Sequence, residues 1–182
     1  MFKKLFAGAR TKREAHTLYQ ELVSQARLPR FYQPPFNVAD SIEGRFDMIM
    51  LHLFVVDQLL AGDESLVGLR RGVREAMIND MDRSLREMGI GDMSIGKQMK
   101  KIGSALLGRL QSFEQASKAE DREQALADAI ARNMTDEAGS ADCAALARYV
   151  CSTLDEVLSQ HAAGWQHGSA IFGGAAAQQG GE

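Results

Sequence analysis

Residues 43–60 read EGRFDMIMLHLFVVDQLL, an almost unbroken apolar run with one histidine, His52, near its middle. Wound as a helix at about 100° per residue, its large apolar side chains between Phe46 and Leu60 spread around nearly the whole circumference. Such a helix is enclosed on most sides, either by protein or by lipid. A bilayer span takes about 20 mostly apolar residues, whereas this stretch is shorter and is interrupted by Asp47, His52, Asp57 and Gln58. The run is therefore read as the central helix of a protein core, with Asp40 or Ser41 placed to cap it.

The flanking sequence supplies helices to surround it. Upstream, Thr11 and Glu14 have capping-box spacing, and Ala15, Leu18, Tyr19, Leu22, Val23 and Ala26 recur at three and four residues until Pro29. The connector 28–37, LPRFYQPPFN, holds all three prolines together with Phe31, Tyr32 and Phe36. Proline fixes φ and removes a donor, so this piece is an ordered loop whose aromatics either plug the core or face a ligand. Downstream, residues 65–88 carry an inner stripe of Leu66, Leu69, Val73, Met77, Met81, Leu85 and Met88. Ile95, Met99, Ile102, Leu106, Leu110 and Phe113 repeat the pattern after GIGD, where Asp92 or Ser94 can cap the second helix. Two further helices are expected over 121–133 and 141–162. No stretch alternates with period two for long enough to be a strand. The sequence predicts an all-α, single compact multi-helix domain with a long antiparallel helical hairpin. Its expected limits are a flexible N-terminus over 1–10, a helical domain over 11–162 and a low-complexity flexible tail over 163–182.

Charge is unevenly placed. Residues 66–110 carry nine basic and five acidic side chains, and residues 111–182 carry four and eleven. A net of four positive charges in the middle is too weak for a dedicated DNA binder. The N-terminus lacks the apolar segment of about 7 to 15 residues that an export signal requires, so a cytoplasmic protein is expected. Phe2, Leu5 and Phe6 beside Lys3, Lys4 and Arg10 leave two readings, a frayed solvated end or peripheral contact with the inner membrane. Cys143 and Cys151 lie eight residues apart in a helical stretch, about 12 Å, beyond the roughly 7 Å Cα separation of a disulfide. With no CxxC and no spaced Cys/His set, a metal site is not expected.

Chemistry is sparse. His52 has apolar neighbours three and four residues away, so a catalytic partner would have to come from another helix; otherwise it is a buried imidazole held by one hydrogen bond. GIGDMSIG is out of register for GxGxxG and follows no strand, and no GxSxG, HExxH or GxxxxGK[ST] is present. Binding is better supported. Seven of the nine methionines fall between residues 48 and 99, where flexible thioethers serve either as core filler or as an adaptable apolar surface. Arg70, Arg71 and Arg74, with Lys97, Lys100 and Lys101, could form one basic patch on the hairpin, diluted by Glu75, Asp80 and Asp82.

Three blocks carry a resemblance: LYQELVSQAR with its FY loop, DSIEGRFDMIMLHLFVVDQLL, and MDRSLREMGIGDMSIGKQMKKIGSALLGRL. Together they cover about half of the chain and resemble the ubiquinol-cytochrome c chaperone family, in its bacterial form. Arg45, Phe46, His52, Asp82, Arg86 and Asp92 fall in the shared blocks. The resemblance implies a non-enzymatic protein with no cofactor of its own, which meets nascent cytochrome b near the ribosomal exit and holds it during assembly of ubiquinol-cytochrome c reductase. The ribosome and a second assembly factor are the further partners it suggests. The alternative class is a small helical cofactor-binding protein or enzyme that uses His52.

Overall fold

The computed structural model describes residues 2–87, 89, 92–134, 141–162 and 171–172. The described residues form six α-helices: α1 Phe2–Ala26, α2 Ile42–Ala61, α3 Val67–Glu87, α4 Asp92–Ser117, α5 Arg122–Asn133 and α6 Cys143–Ala162. Short 3-10 turns at Pro29–Tyr32 and Glu64–Leu66 precede α2 and α3. No strand occurs among the described residues.

The opening run forms α2, and α1, α3, α4 and α6 all pack against it. Its start is set by Ser41, whose hydroxyl accepts the Gly44 N–H at 3.0 Å. Asp40, the other candidate cap, instead pairs with Arg45 at 2.6 Å. From Asp47 to Leu60 every side chain but Gln58 is buried, as an apolar surface spread around the helix requires.

The loop before α2 belongs to the core. Phe31 and Phe36 are buried, and the Tyr32 hydroxyl donates to the Ala26 carbonyl at 2.8 Å. Asn37 turns the chain with φ 51°, a left-handed conformation that asparagine tolerates. The loop then ties to the start of α6, because the Asp142 N–H donates to the Phe36 carbonyl at 2.8 Å.

Helix α1 differs from expectation at its start. It begins at Phe2, so Thr11 and Glu14 sit inside the helix, and Glu14 takes a 2.8 Å ion pair from Arg10 in place of a capping bond. Lys, Leu, Ala and Arg all favour helix, and nothing upstream of Thr11 except Gly8 disfavours it, so the helix runs on past the apparent box. Along its length α1 lies beside α3. Thr11 is next to Gly68, Ala15 is next to Gly72, and the Tyr19 hydroxyl donates to Asp80 at 2.8 Å. The numbering rises together, so the two helices run in the same direction.

Helices α3 and α4 follow one another and pack together, which is consistent with the expected hairpin. Between them Gly89 has φ 78°, the left-handed conformation usual just after a helix end. Residues 88, 90 and 91 and the side chains of Asp92 and Ser94 lie outside the described residues, and with them the expected cap of α4. The chain closes with a departure from expectation: Ile171 and Phe172, which composition assigned to the tail, are buried in the main core. Both of their N–H groups donate to Glu21 Oε1, at 2.5 and 3.3 Å. The rest of 163–182 lies outside the described residues.

Candidate functional site

His52 sits at the middle of α2 and is fully buried. Its Nδ1 is 2.8 Å from the Met48 carbonyl oxygen and its Nε2 is 2.8 Å from the Tyr149 hydroxyl on α6. A carbonyl can only accept, so Nδ1 carries the proton and Nε2 accepts from the Tyr149 O–H. Gln25 of α1 donates in turn to the same hydroxyl at 3.3 Å. The imidazole lies edge-on to Phe31 at 5.2 Å and to Phe172 at 5.4 Å between ring centroids. Burial pushes the His52 pKa down to about 4, against the Met48 hydrogen bond that would raise it, and nearby Arg30 adds to the lowering. The ring is neutral at physiological pH with both nitrogens engaged. It therefore offers no site to a substrate or cofactor, and the alternative built on His52 finds no support in this geometry.

The carboxylates of α2 account for several of the cations. Asp57 is buried and accepts from two guanidinium groups, Arg70 at 3.0 and 2.5 Å and Arg74 at 2.6 and 2.8 Å. Burial pushes the Asp57 carboxyl up, but the bonds from Arg70 and Arg74 outweigh it and hold the group below the usual carboxylate range. Asp47 is likewise buried and takes Arg109 at 2.7 Å, with that guanidinium lying 5.4 Å over the Phe46 ring. A carboxylate inside an otherwise apolar helix must find a cation, and both of these did.

This rearranges the expected basic patch. Arg70 and Arg74 are clamps on the core helix, whereas Arg71 points outward, 77% exposed, with Glu75 at 3.5 Å. Lys97, Lys100 and Lys101 are exposed near the start of α4. Arg70 feels the charge of Glu114, close to the other end of that helix. Lys97 and Glu114 are 17 residues apart, a rise of about 25 Å. The structure thus does not gather the six cations on one surface. Of the remaining block residues, Arg45 is exposed and paired with Asp40, and Asp82 pairs with Arg86 at 2.8 Å along α3. The Asp92 side chain is outside the described residues.

The methionines divide between core and surface. Met48, Met50 and Met77 are buried in the core. Toward the α3–α4 junction the stripes loosen: Met81 and Leu85 on α3, and Met99 and Ile102 on α4, are half-buried, and none of them joins the main core cluster. Lys97, Lys100 and Lys101 are exposed on the same turns of α4, and at about 100° per residue they fall on the side of the helix away from Met99 and Ile102. Sequence periodicity could not separate the half-buried residues from the core, since both halves of each stripe carry the same spacing.

No group of three or more His, Cys, Asp and Glu side chains suited to a metal ion occurs among the described residues. No described helix is long and apolar enough to cross a membrane.

Comparison with known proteins gives a consistent result. The family model of the ubiquinol-cytochrome C chaperones matches residues 35–172, which extends to the buried Phe172. Among solved structures, the crystal structure of the Cbp3 homolog from Brucella abortus superposes with a TM-score of 0.73 at 31% sequence identity, covering 94% of this chain and 98% of that one. No curated protein matches. A family match over most of the chain, with a structural relative of the same length and fold, establishes that this protein belongs to the ubiquinol-cytochrome c chaperone family.

Proposed function

We propose that this chain acts in the cytoplasm as an assembly chaperone for ubiquinol-cytochrome c reductase, and that it holds newly made cytochrome b on the α3–α4 junction end of the fold. Family membership supports the assembly role. The observation that carries the choice of surface is that Met81, Leu85, Met99 and Ile102 are half-buried near the α3–α4 junction, on turns where Lys97, Lys100 and Lys101 are exposed on the other side of α4. Unbranched thioethers adapt to differently shaped apolar partners, as a newly made membrane helix requires. Exposed cations at the same end of the fold suit encounter with the anionic surface of the ribosome. In this reading a second assembly factor takes a different face.

A photo-crosslinking residue placed at Met81 or Met99 tests the surface in cells synthesising cytochrome b. Adducts with cytochrome b at both positions, and none at exposed Leu158 on α6, are expected. Equal labelling at Leu158, or no adduct at either methionine, overturns the assignment. A deletion strain tests the role itself, through loss of assembled reductase while its transcripts remain.

A further inference from the structure

We propose that the first two turns of α1 are an interfacial anchor that lies on an anionic lipid surface, at the end of the molecule away from the α3–α4 junction. The helix is continuous from Phe2, and its register against α3 fixes where it goes. Thr11 lies beside Gly68, one residue into α3. The eight residues Phe2–Ala9 therefore run about 12 Å beyond the start of the helix that supports α1. The space around them agrees: a side chain at Gly8 would meet nothing within 4 Å, Gly8, Ala9 and Arg10 are exposed, and the first buried residue among those described on α1 is Ala15.

The composition of this overhang selects the partner. Residues 1–13 contain five cations, Lys3, Lys4, Arg10, Lys12 and Arg13, and the first acid is Glu14. On a helix, positions 2, 5, 6 and 9 share one face and are Phe, Leu, Phe and Ala. The described residues extend the basic character along the molecule. Lys12, Arg13 and His16 face Arg71 and Arg83 across a groove of about 1180 Å³ between α1 and α3. Acids are present there too: Arg10 is held by Glu14, Arg71 by Glu75 and Arg83 by Asp80, and Glu64 is exposed in the turn just before α3. Lys12 and Arg13 make no ion pair among the described residues. A sequence that pairs an apolar helical face with an excess of cations is the pattern that inserts a few ångströms into an anionic interface, where each part alone binds weakly. A nucleic acid would use the cations but leave the Phe2, Leu5 and Phe6 positions without a role.

The test is co-sedimentation of the full chain with vesicles of neutral phosphatidylcholine, and with vesicles containing phosphatidylglycerol, at low and high salt. Retention on the anionic vesicles, weakened by salt, is expected. The double variants Lys3→Glu/Lys4→Glu and Leu5→Gln/Phe6→Gln should each lower partitioning by about tenfold, with an unchanged far-UV spectrum and Tm. Equal retention on neutral vesicles, wild-type retention by either variant, or binding to an RNA oligonucleotide without vesicle retention would overturn the proposal. Because the readout contains no client, its failure leaves the crosslinking result at Met81 and Met99 standing by itself.

Discussion

The hydroxyl of Tyr149 lies 2.8 Å from Nε2 of His52 and fixes the histidine as a neutral, Nδ1-protonated ring inside the core. Through Gln25, the same hydroxyl joins the C-terminal end of α1 to α2 and α6. Phe31 stacks edge-on against both the histidine and the tyrosine. A polar chain of this kind is favourable while each member has its partner, and it penalises any state in which one changes charge.

Stability should depend on pH for that reason. The His52 pKa is about 4 in the folded protein against 6.5 as an unperturbed side chain. Between those values the unfolded chain binds the proton and the folded one does not. Stability is therefore full above about pH 6.5 and falls as the pH drops toward 4, by on the order of 3 kcal/mol. Urea unfolding of the wild type and of His52→Gln at pH 7 and pH 4.5 measures it. The variant should be less stable at pH 7 and should lose less on acidification; parallel losses would mean that other groups set the slope.

How much was visible beforehand differs between backbone and side chains. The identity of α2 as the core helix and the approximate ends of α3 to α6 were legible, because burial stamps a 3.6-residue period and helix ends carry signals such as Ser41 before α2 and Gly89 after α3. The partners of His52, Asp47 and Asp57 were not, since they come from other helices whose packing the local pattern does not fix, 97 residues away for Tyr149 and 62 for Arg109, and even the 13 and 17 residues to Arg70 and Arg74 cross from α2 to α3. A signal did exist for the carboxylates. Two aspartates in an apolar helix require cations, and Arg70 and Arg74, four apart, share a face that can supply a pair of guanidiniums. Reading them as surface charge missed this. The Ile171–Phe172 pair was hidden by averaging composition over a Gly- and Ala-rich stretch.

The Asp57 clamp makes a non-additive prediction. Arg70→Ala leaves Asp57 held by Arg74 and should cost about 1 kcal/mol, as should Arg74→Ala. Arg70→Ala/Arg74→Ala strands a buried carboxylate and should cost about 3–5 kcal/mol. In the wild type the Asp57 carboxyl is held low, so its contribution is present above its unfolded pKa and is lost as the pH falls below about 4. In the double variant burial acts without the arginines and raises that pKa, so stability should instead fall as the pH rises from 5 to 8. Additive losses with the ordinary pH slope would show that the two arginines act independently. Charge reversal at Arg70 or Arg74 therefore reports on folding, and a test of surface charge belongs at Arg71.

Two glycines separate close packing from helix propensity. A Cβ at Gly44 would lie 2.1 Å from the Ala39 carbonyl oxygen, backbone that cannot turn aside, whereas one at Gly68 would meet Thr11 Cγ2 at 3.8 Å, ordinary contact. Gly44→Ala should cost about 3 kcal/mol or more and lower Tm by about 10 °C. Gly68→Ala should change stability by less than about 1 kcal/mol, in the favourable direction. Similar Tm values for the two variants would show that the approach of the 38–39 segment to α2 is slack.

Phe172 decides where the folded domain ends. Its ring is buried beside His52, and Ile171 is buried next to it, with the Glu21 carboxylate receiving both backbone N–H groups. Removing so large a buried ring leaves a void against α2 that the helices cannot fully close. Phe172→Ala should therefore cost about 3 kcal/mol or more. A chain ending after Ala162 loses both side chains and exposes His52 and its aromatic neighbours, and should unfold at a Tm at least about 10 °C lower. A chain ending after Gly174 keeps the pair and should match the wild type. Glu21→Leu isolates the hydrogen bonds: it retains the rings but leaves two N–H groups without their acceptor, for a loss of about 1–3 kcal/mol. If the chain ending after Ala162 melts with the wild type, the Ile171–Phe172 pair adds nothing to the core, and the domain closes at the end of α6.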